Sequence, residues 1–182
     1  SNFPVRVQSM TTTNTNDTEA CVRQAEEIIK AGGELVRLTT QGKREAENLK
    51  NINAQLRSEG YTTPLVADVH FNPNVADVAA LYAEKVRINP GNYVDPARKF
   101  IKQEYTDEEY AAELKKIEDR LIPFLNICKA NHTAVRIGVN HGSLSDRIRN
   151  RYGDTPEGIV ESCMEFLRVC KRENFTDVVI SI

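Results

Sequence analysis

The chain has 182 residues, of which 40% are hydrophobic and 27% charged, and its formal net charge at pH 7 is −2. This length suits one domain with a sizeable core, and the composition is ordinary for a soluble globular protein. The small net charge gives no reason to expect nucleic acid or an anionic membrane as a partner. The sequence has no apolar run of about 18 residues that would predict a membrane span.

Strand and helix signals alternate along the chain. Short apolar runs end at glycine, proline or asparagine, and the stretches between them carry apolar residues at helical spacing. The predicted strands cover residues 4–10, 34–39, 64–69, 85–89, 133–139 and 177–182. The predicted helices cover 18–31, 43–59, 73–83, 107–130 and 155–173, with a short helix or helical loop at 142–151. Pro123 is expected to kink or divide the fourth of these helices.

This alternation predicts parallel strands joined by right-handed crossovers. Six such units fit either a doubly wound sheet or most of a barrel. The absence of a GxGxxG motif after the first strand weakens the dinucleotide-binding alternative. A complete barrel typically needs roughly 250 residues. We therefore predict an α/β fold of the (β/α)8 TIM-barrel type, truncated after about six strand–helix units, with residues 1–182 as one partial barrel domain.

One short sequence motif occurs in three of the predicted strands. Residues 35–39 read LVRLT, residues 85–89 read KVRIN, and residues 134–140 read AVRIGVN. Arginine is costly inside a sheet, so three arginines in equivalent places suggest one site gathered from several strands. Their guanidinium forks fit phosphate oxygens, which predicts a pocket for a phosphorylated small molecule. The alternative is that Arg37, Arg87 and Arg136 pair with inward carboxylates such as Glu34 or Asp68.

Other polar side chains follow the strands at their carboxyl ends, where sites on parallel α/β folds lie. Asp68 either holds an arginine in place or takes part in acid–base chemistry. His70 is either a hydrogen-bonded structural group or a catalyst. Asn89 and Asn140 add amides that suit an anion with several oxygens. No serine or cysteine is visibly paired with a base, so the sequence assigns no catalytic residue.

The loop at 138–146 is a further candidate, because it leaves a strand, contains two glycines and enters a helical segment. Free backbone N–H groups in such a loop can bind a phosphate. The alternative is an ordinary turn that is capped by Ser143 or Ser145.

The four cysteines form no CxxC pair, and two of them lie seven residues apart on one predicted helix face. We expect them to be buried small apolar residues in a reducing compartment. No metal or cluster site is expected within this chain. These residues are Cys21, Cys128, Cys163 and Cys170.

Four strings resemble the 4-hydroxy-3-methylbut-2-enyl diphosphate synthase family of the non-mevalonate isoprenoid pathway. They are VQSMT at 7–11, ADVHF at 67–71, VRINPGN at 86–92 and VRIGVNHGSL at 135–144. The resemblance covers essentially the whole chain, and the last two strings are long and specific. The tracts at 140–149 and 152–161 are most similar to the longer form of the enzyme, found in plants and some bacteria.

The resemblance implies a reductive ring opening of 2-C-methyl-D-erythritol 2,4-cyclodiphosphate to 4-hydroxy-3-methylbut-2-enyl diphosphate. In that family the barrel binds the diphosphate, a C-terminal domain carries a [4Fe–4S] cluster, and ferredoxin or flavodoxin supplies the electrons. Carried over by motif, the substrate-binding positions are Arg37, Asp68, His70, Arg87, Asn89, Arg136 and Asn140.

Two parts of the family pattern lie outside residues 1–182, namely the cluster cysteines and a lysine after the sixth strand. We therefore expect a barrel fragment that holds no cofactor and is inactive alone. The whole enzyme is expected in the cytoplasm, or in the plastid stroma if its source is a plant, and a homodimer is left open. One alternative is a phosphate-binding barrel transferase of the dihydropteroate synthase kind, without a redox centre. Another is a non-catalytic binding or assembly module.

Overall fold

The structure is a computed structural model that describes residues 3–96 and 104–182. In it, six parallel strands form one sheet in the sequential order β1 to β6. The strands are β1 (Gln8–Met10), β2 (Leu35–Thr40), β3 (Leu65–Val69), β4 (Lys85–Ile88), β5 (Ala134–Gly138) and β6 (Val178–Ser181). A doubly wound sheet would reverse its order at a switch point. The sequential order confirms the predicted architecture of a truncated TIM-type barrel.

The predicted helices follow the strands in the expected order, and the structure adds one short helix after the fourth strand. They are α1 (Thr18–Lys30), α2 (Lys43–Ser58), α3 (Pro73–Ala79), α4 (Pro90–Tyr93), α5 (Asp107–Asn131), α6 (Asp146–Tyr152) and α7 (Pro156–Arg172). In the two described ranges, none of these helices combines the length and apolar character needed to cross a bilayer.

The core lies between the helices and one face of the sheet. Along β2, Val36 and Leu38 are fully buried, whereas Arg37 between them is only half-buried. Because successive side chains of a strand point to opposite faces, the apolar positions face the helices and the arginine faces the inner side of the curved sheet. Phe124 of α5 and Phe166 of α7 are the largest fully buried side chains on the helical side. This alternation delivers polar residues to the inner face.

The first strand is shorter than predicted. The sequence predicts a strand over 4–10, but β1 contains only three residues and pairs with β2 from Gln8 onward. Before Gln8, the carbonyl of Val7 still accepts from the N–H groups of Glu34 and Leu35, but β2 itself begins only at Leu35, after the turn at Gly33. The backbone N–H of Val7 instead donates to the Glu34 carboxylate at 2.9 Å. The ladder therefore cannot extend further toward the amino terminus.

Pro90 ends the fourth strand as predicted, whereas Pro123 does not divide its helix. Pro90 ends β4 as expected, but it also occupies the first turn of α4, which is capped by Asn89. Pro123 lies inside α5, and that helix runs from Asp107 to Asn131 without division. A proline costs one backbone hydrogen bond there. Burial of the neighbouring Phe124 offsets that loss and keeps the helix in one piece.

Candidate functional site

The structure brings the three predicted arginines to one region of the inner face. Asp68 of β3 pairs with Arg87 of β4, and Arg87 pairs in turn with Arg136 of β5. Arg37 of β2 lies two residues before Thr39, which pairs with Asp68. Residues in register on neighbouring parallel strands point the same way. Three different strands therefore contribute one guanidinium each to the same place.

Asp68 is the centre of this arrangement. Its Oδ2 accepts from Arg37 Nη2 at 2.5 Å and from Arg37 Nε at 3.0 Å, and its Oδ1 accepts from Arg87 Nη1 at 3.1 Å. His70 Nε2 lies 3.3 Å from Oδ2. The alternative explanation by carboxylate pairing thus holds for Arg37 and Arg87 through Asp68. It does not hold for Glu34, whose carboxylate binds the exposed Arg6 at 2.6 Å.

The ionisation of Asp68 follows from these contacts. Burial alone would raise the pKa of the carboxyl, because the residue is only 2% exposed. The hydrogen bond with His70 and the charges of Arg37 and Arg87 outweigh burial and lower the pKa to about 2. Asp68 is therefore an anion at neutral pH, and its role is to orient two arginines.

This pKa shift predicts how stability depends on acidity. A lowered folded-state pKa stabilises the fold above the usual carboxyl pKa of 3.8, and the contribution is lost as pH falls toward about 2. We expect Asp68→Asn to be less stable than wild type at pH 7 by roughly 1–2 kcal/mol from this source, after allowance for solvent screening. Urea denaturation at several pH values from 7 to 2.5 measures the free energy of unfolding of both proteins. The difference between wild type and Asp68→Asn should become smaller below about pH 4. If this difference in unfolding free energy did not change with pH, the lowered pKa of Asp68 would be contradicted.

Arg136 differs from the other two arginines. Its Nε donates to Ser181 Oγ of β6 at 2.9 Å, and no carboxylate of the described residues forms an ion pair with it. Burial and the positive charges of Arg37 and Arg87 lower its pKa. Asp68 neutralises only part of this charge. The group therefore keeps an excess of positive charge, which favours binding of an anion.

The inner face also carries a charge that the sequence analysis missed. Lys85 lies one layer below Arg87 on β4, and burial followed by the charge of Arg136 lowers its pKa. Lys85, Arg136 and Gln8 line a cavity of about 670 Å³ toward the amino ends of the strands. The sequence KVRIN does contain a signal for Lys85, because positions 85 and 87 of a strand share a face.

Gly138 makes room for Arg87. The Arg87 Nη2 donates to the carbonyl oxygen of Gly138 at 2.9 Å. A Cβ atom at position 138 would collide with the guanidinium of Arg87. The glycine in the string VRIGVN is therefore required by the close approach of a side chain.

The two predicted asparagines begin the loops that follow β4 and β5. Asn89 Oδ1 accepts from the N–H of Gly91 at 3.0 Å, and Asn140 Oδ1 accepts from the N–H of Gly142 at 2.9 Å. Such side-chain turns fix the chain where it leaves a strand. Asn89 is buried and also donates from Nδ2 to Ser143 Oγ at 2.7 Å. Asn140 is exposed, and its amide nitrogen has no partner among the described residues, so it is available to a ligand.

The loop after β5 is the candidate phosphate-binding loop, and its N–H groups at Gly142 and Ser143 bond Asn140, which favours the alternative of a capped turn. Residues His141–Ser143 form a single 3-10 turn, and Ser145 caps α6 by accepting from the N–H of Ile148 at 3.3 Å. Ser143 makes different contacts, because its hydroxyl joins the two asparagine loops. The sequence identified both serines but did not separate their roles.

His70 and Phe71 directly follow β3. The His70 side chain is partly exposed beside Asp68, which places it next to the arginine group. Phe71 has a φ of 60° and is 66% exposed. A left-handed backbone is costly for a residue with a bulky side chain. This strained residue is the one that follows His70 in the chain.

A buried ionic network joins the residues after α4 to the helices α5, α6 and α7. It is not among the sequence predictions. Arg147 of α6 binds Asp95 with Nη2 at 3.0 Å and Glu165 of α7 with Nη1 and Nη2 at 2.7 Å each. The Tyr110 hydroxyl of α5 donates to Glu165 at 2.5 Å. Four segments of the chain are joined at this point. They are the residues after α4, and the helices α5, α6 and α7.

The cysteines do not form a metal site. All four are buried and free, and in residues 3–96 and 104–182 no group of three or more potential ligands is placed to hold a metal ion. Burial raises the pKa of Cys128 to about 12 and that of Cys170 to about 11. Protonated, buried thiols are poor ligands for iron. The cysteines of this chain therefore do not fit an iron–sulfur cluster.

Comparison with known proteins agrees with this geometry. The sequence model of one family, described as the GcpE TIM-barrel domain, matches residues 1–182. The 4-hydroxy-3-methylbut-2-en-1-yl diphosphate synthase (flavodoxin) of Phocaeicola vulgatus is 78% identical over 181 residues, which are 100% of this chain and 30% of that protein. The protein of the same name from Chlorobaculum tepidum is 49% identical over 180 residues, which are 99% of this chain and 24% of that protein. The chain spans less than a third of the length of these relatives.

Solved structures with a similar fold include enzymes of other chemistry. The 7,8-dihydropteroate synthase from Vibrio fischeri has a TM-score of 0.56 at 13% identity, over 96% of this chain and 60% of that one. The 3-keto-D-glucoside 4-epimerase YcjR from E. coli has a TM-score of 0.51 at 14% identity, over 96% of this chain and 66% of that one. At these identities the likeness concerns the fold alone.

Proposed function

Because the chain belongs to the GcpE TIM-barrel family, we propose that it is the substrate-binding barrel of an oxidoreductase that opens 2-C-methyl-D-erythritol 2,4-cyclodiphosphate reductively. The product is 4-hydroxy-3-methylbut-2-enyl diphosphate. The names of highly identical relatives support this activity for the whole protein. The observation that carries the proposal is the group of three arginines on the inner face, in which Arg37 and Arg87 share the Asp68 carboxylate and Arg136 bonds Ser181 instead.

In this proposal, the residues of the chain bind and orient the diphosphate. Arg136 donates directly to phosphate oxygens because its charge has no carboxylate partner. Asp68 holds Arg37 and Arg87 so that their remaining N–H groups are already oriented when the substrate arrives. Such preorganisation reduces the entropy lost on binding. Asn140 contributes its free amide, and His70 lies at the edge of the same group.

The redox chemistry belongs to a part of the whole protein outside these residues. We propose a [4Fe–4S] cluster in a C-terminal domain, which would supply electrons to the bound substrate. Flavodoxin is the proposed donor, since the relatives carry that word in their names. Free, buried cysteines favour a reducing compartment, and we propose the cytoplasm. Light scattering on the whole protein will decide between a monomer and a homodimer.

The deciding experiment measures turnover by the whole protein under anaerobic conditions. Reduced flavodoxin and the cyclodiphosphate should give the open-chain diphosphate, and removal of the iron should abolish turnover. Calorimetric titration of the iron-free protein with the cyclodiphosphate should still show binding, because the arginines lie in the barrel. Turnover that persists without iron would contradict the redox assignment. Absence of binding would contradict the role of the barrel.

A transferase of the dihydropteroate synthase kind is not favoured. The likeness to such enzymes rests on the fold at 13% identity, whereas the family match covers residues 1–182. A non-catalytic module is not favoured either, since the curated relatives named above are synthases.

A further inference from the structure

The two loops that follow β4 and β5 are joined by one hydroxyl group. Asn89 Nδ2 donates to Ser143 Oγ at 2.7 Å, and the same hydroxyl donates to the backbone oxygen of Asn140 at 3.1 Å. Asn89 and Ser143 are 54 residues apart in the sequence. The hydroxyl thus connects the starting points of both loops.

The backbones of the loops also touch at this point. A Cβ atom at Gly91 would collide with the carbonyl oxygen of Ser143. Gly91 is fixed by the side chain of Asn89, which accepts from its N–H at 3.0 Å. The two loops therefore pack closely, with backbone against backbone and no side chain between them.

The junction lies next to the arginine group. Asn89 follows β4 and comes two residues after Arg87, and Asn140 follows β5 and comes four residues after Arg136. Both asparagines have an extended backbone, so this even spacing places them on the side of the arginine that precedes them. A change in the separation of the loops would move the amide of Asn140 relative to the guanidinium of Arg136.

We propose that Ser143 is a positioning residue, which sets the separation of the two asparagine loops and thereby the affinity for the diphosphate. This inference rests on the proposed function of the barrel. Ser143 acts through Asn89 and Asn140, because both hydrogen bonds of its hydroxyl are directed at these residues. A fixed geometry of the donors is what a multidentate anion requires.

The test uses Ser143→Ala, Ser143→Thr and Ser145→Ala in the whole protein. Ser143→Ala should weaken binding of the cyclodiphosphate by about 3- to 10-fold, the effect of losing the one hydroxyl bond that joins the two loops, from Asn89 Nδ2 to Ser143 Oγ. The KM should rise similarly, whereas kcat should change less than about twofold, because ground-state and transition-state binding are lost together. Ser143→Thr keeps the hydroxyl and should restore most of the affinity.

Ser145→Ala is the matched control from the same loop. It removes the cap of α6, so it should lower the melting temperature while the affinity for the cyclodiphosphate stays unchanged. Unchanged affinity in Ser143→Ala would overturn the inference. Equal losses in Ser143→Ala and Ser143→Thr, or in Ser143→Ala and Ser145→Ala, would also overturn it. If the wild-type protein does not bind the cyclodiphosphate at all, it is the proposed function that fails.

Discussion

Replacement of Arg147 by methionine is expected to destabilise the barrel by about 3–5 kcal/mol, the usual result when one member of a buried ionic network is removed. The Arg147 side chain is 2% exposed, and its partners Asp95 and Glu165 are 5% and 1% exposed. Methionine fills a similar volume but leaves two carboxylates without a cation in a region of low dielectric. The cost therefore comes from the stranded charges and not from a cavity.

The hydroxyl of Tyr110 does not compensate for this loss. It donates to Glu165 at 2.5 Å, and burial together with that hydrogen bond raises the pKa of the tyrosine. One neutral donor satisfies only one of the stranded oxygens. In the described part of the chain, Arg147 is the one cation that forms an ion pair with Asp95, so its removal also releases Asp95 from α6.

The measurement is urea denaturation of the whole protein at pH 7, monitored by circular dichroism. Hydrogen exchange should also speed up in α6 before it does so in the sheet. Arg168→Met is the matched control on α7, because Arg168 is half-exposed and its ion pair with Glu161 lies at the surface. That control should cost no more than about 1 kcal/mol. If the two replacements lowered the free energy of unfolding equally, the buried network would contribute no more to stability than a surface ion pair.

The arginine group could be predicted from the sequence because it depends on two simple regularities. Side chains alternate along a strand, and the carboxyl ends of parallel strands meet at one edge. Three copies of one sequence motif then place Arg37, Arg87 and Arg136 together without knowledge of the fold in detail. The sequence also predicts Asp68 as an inward carboxylate, and in the structure this carboxylate binds Arg37 and Arg87.

The supports of the site could not be predicted in this way. Arg147 contacts Asp95 from 52 residues away and Glu165 from 18 residues away, and Ser143 reaches Asn89 across 54 residues. These contacts depend on how helices pack, which periodicity does not specify. A charged residue at such a position looks the same in the sequence as one on a solvated helix face.

Some of the missed local structure did have a signal. The pair Asn89-Pro90 combines a favoured helix cap with a favoured first helical residue, and α4 begins there. The sequence analysis used the proline only as the end of β4. Pro123 does not divide α5, because packing of the buried Leu121, Phe124 and Leu125 outweighs one missing hydrogen bond.

Arg136→Met in the whole protein should weaken binding of the cyclodiphosphate by roughly 1.5–3 kcal/mol, the range for a hydrogen bond to a charged group. This corresponds to a loss of affinity on the order of 10- to 100-fold. Arg136→Lys should recover only part of the affinity, because an ammonium group lacks the planar fork. Calorimetric titration of the iron-free protein measures these affinities without turnover.

Stability separates this role from a structural one. Arg136 bonds Ser181 and has no carboxylate partner among the described residues, and its positive neighbours Arg37 and Arg87 repel it. Its removal should therefore leave the melting temperature unchanged or slightly higher. Arg6→Met is the control, since Arg6 is exposed and bound to Glu34, and it should alter neither quantity much. Unchanged affinity together with a large fall in melting temperature would make Arg136 a structural residue and remove the main support for the diphosphate pocket.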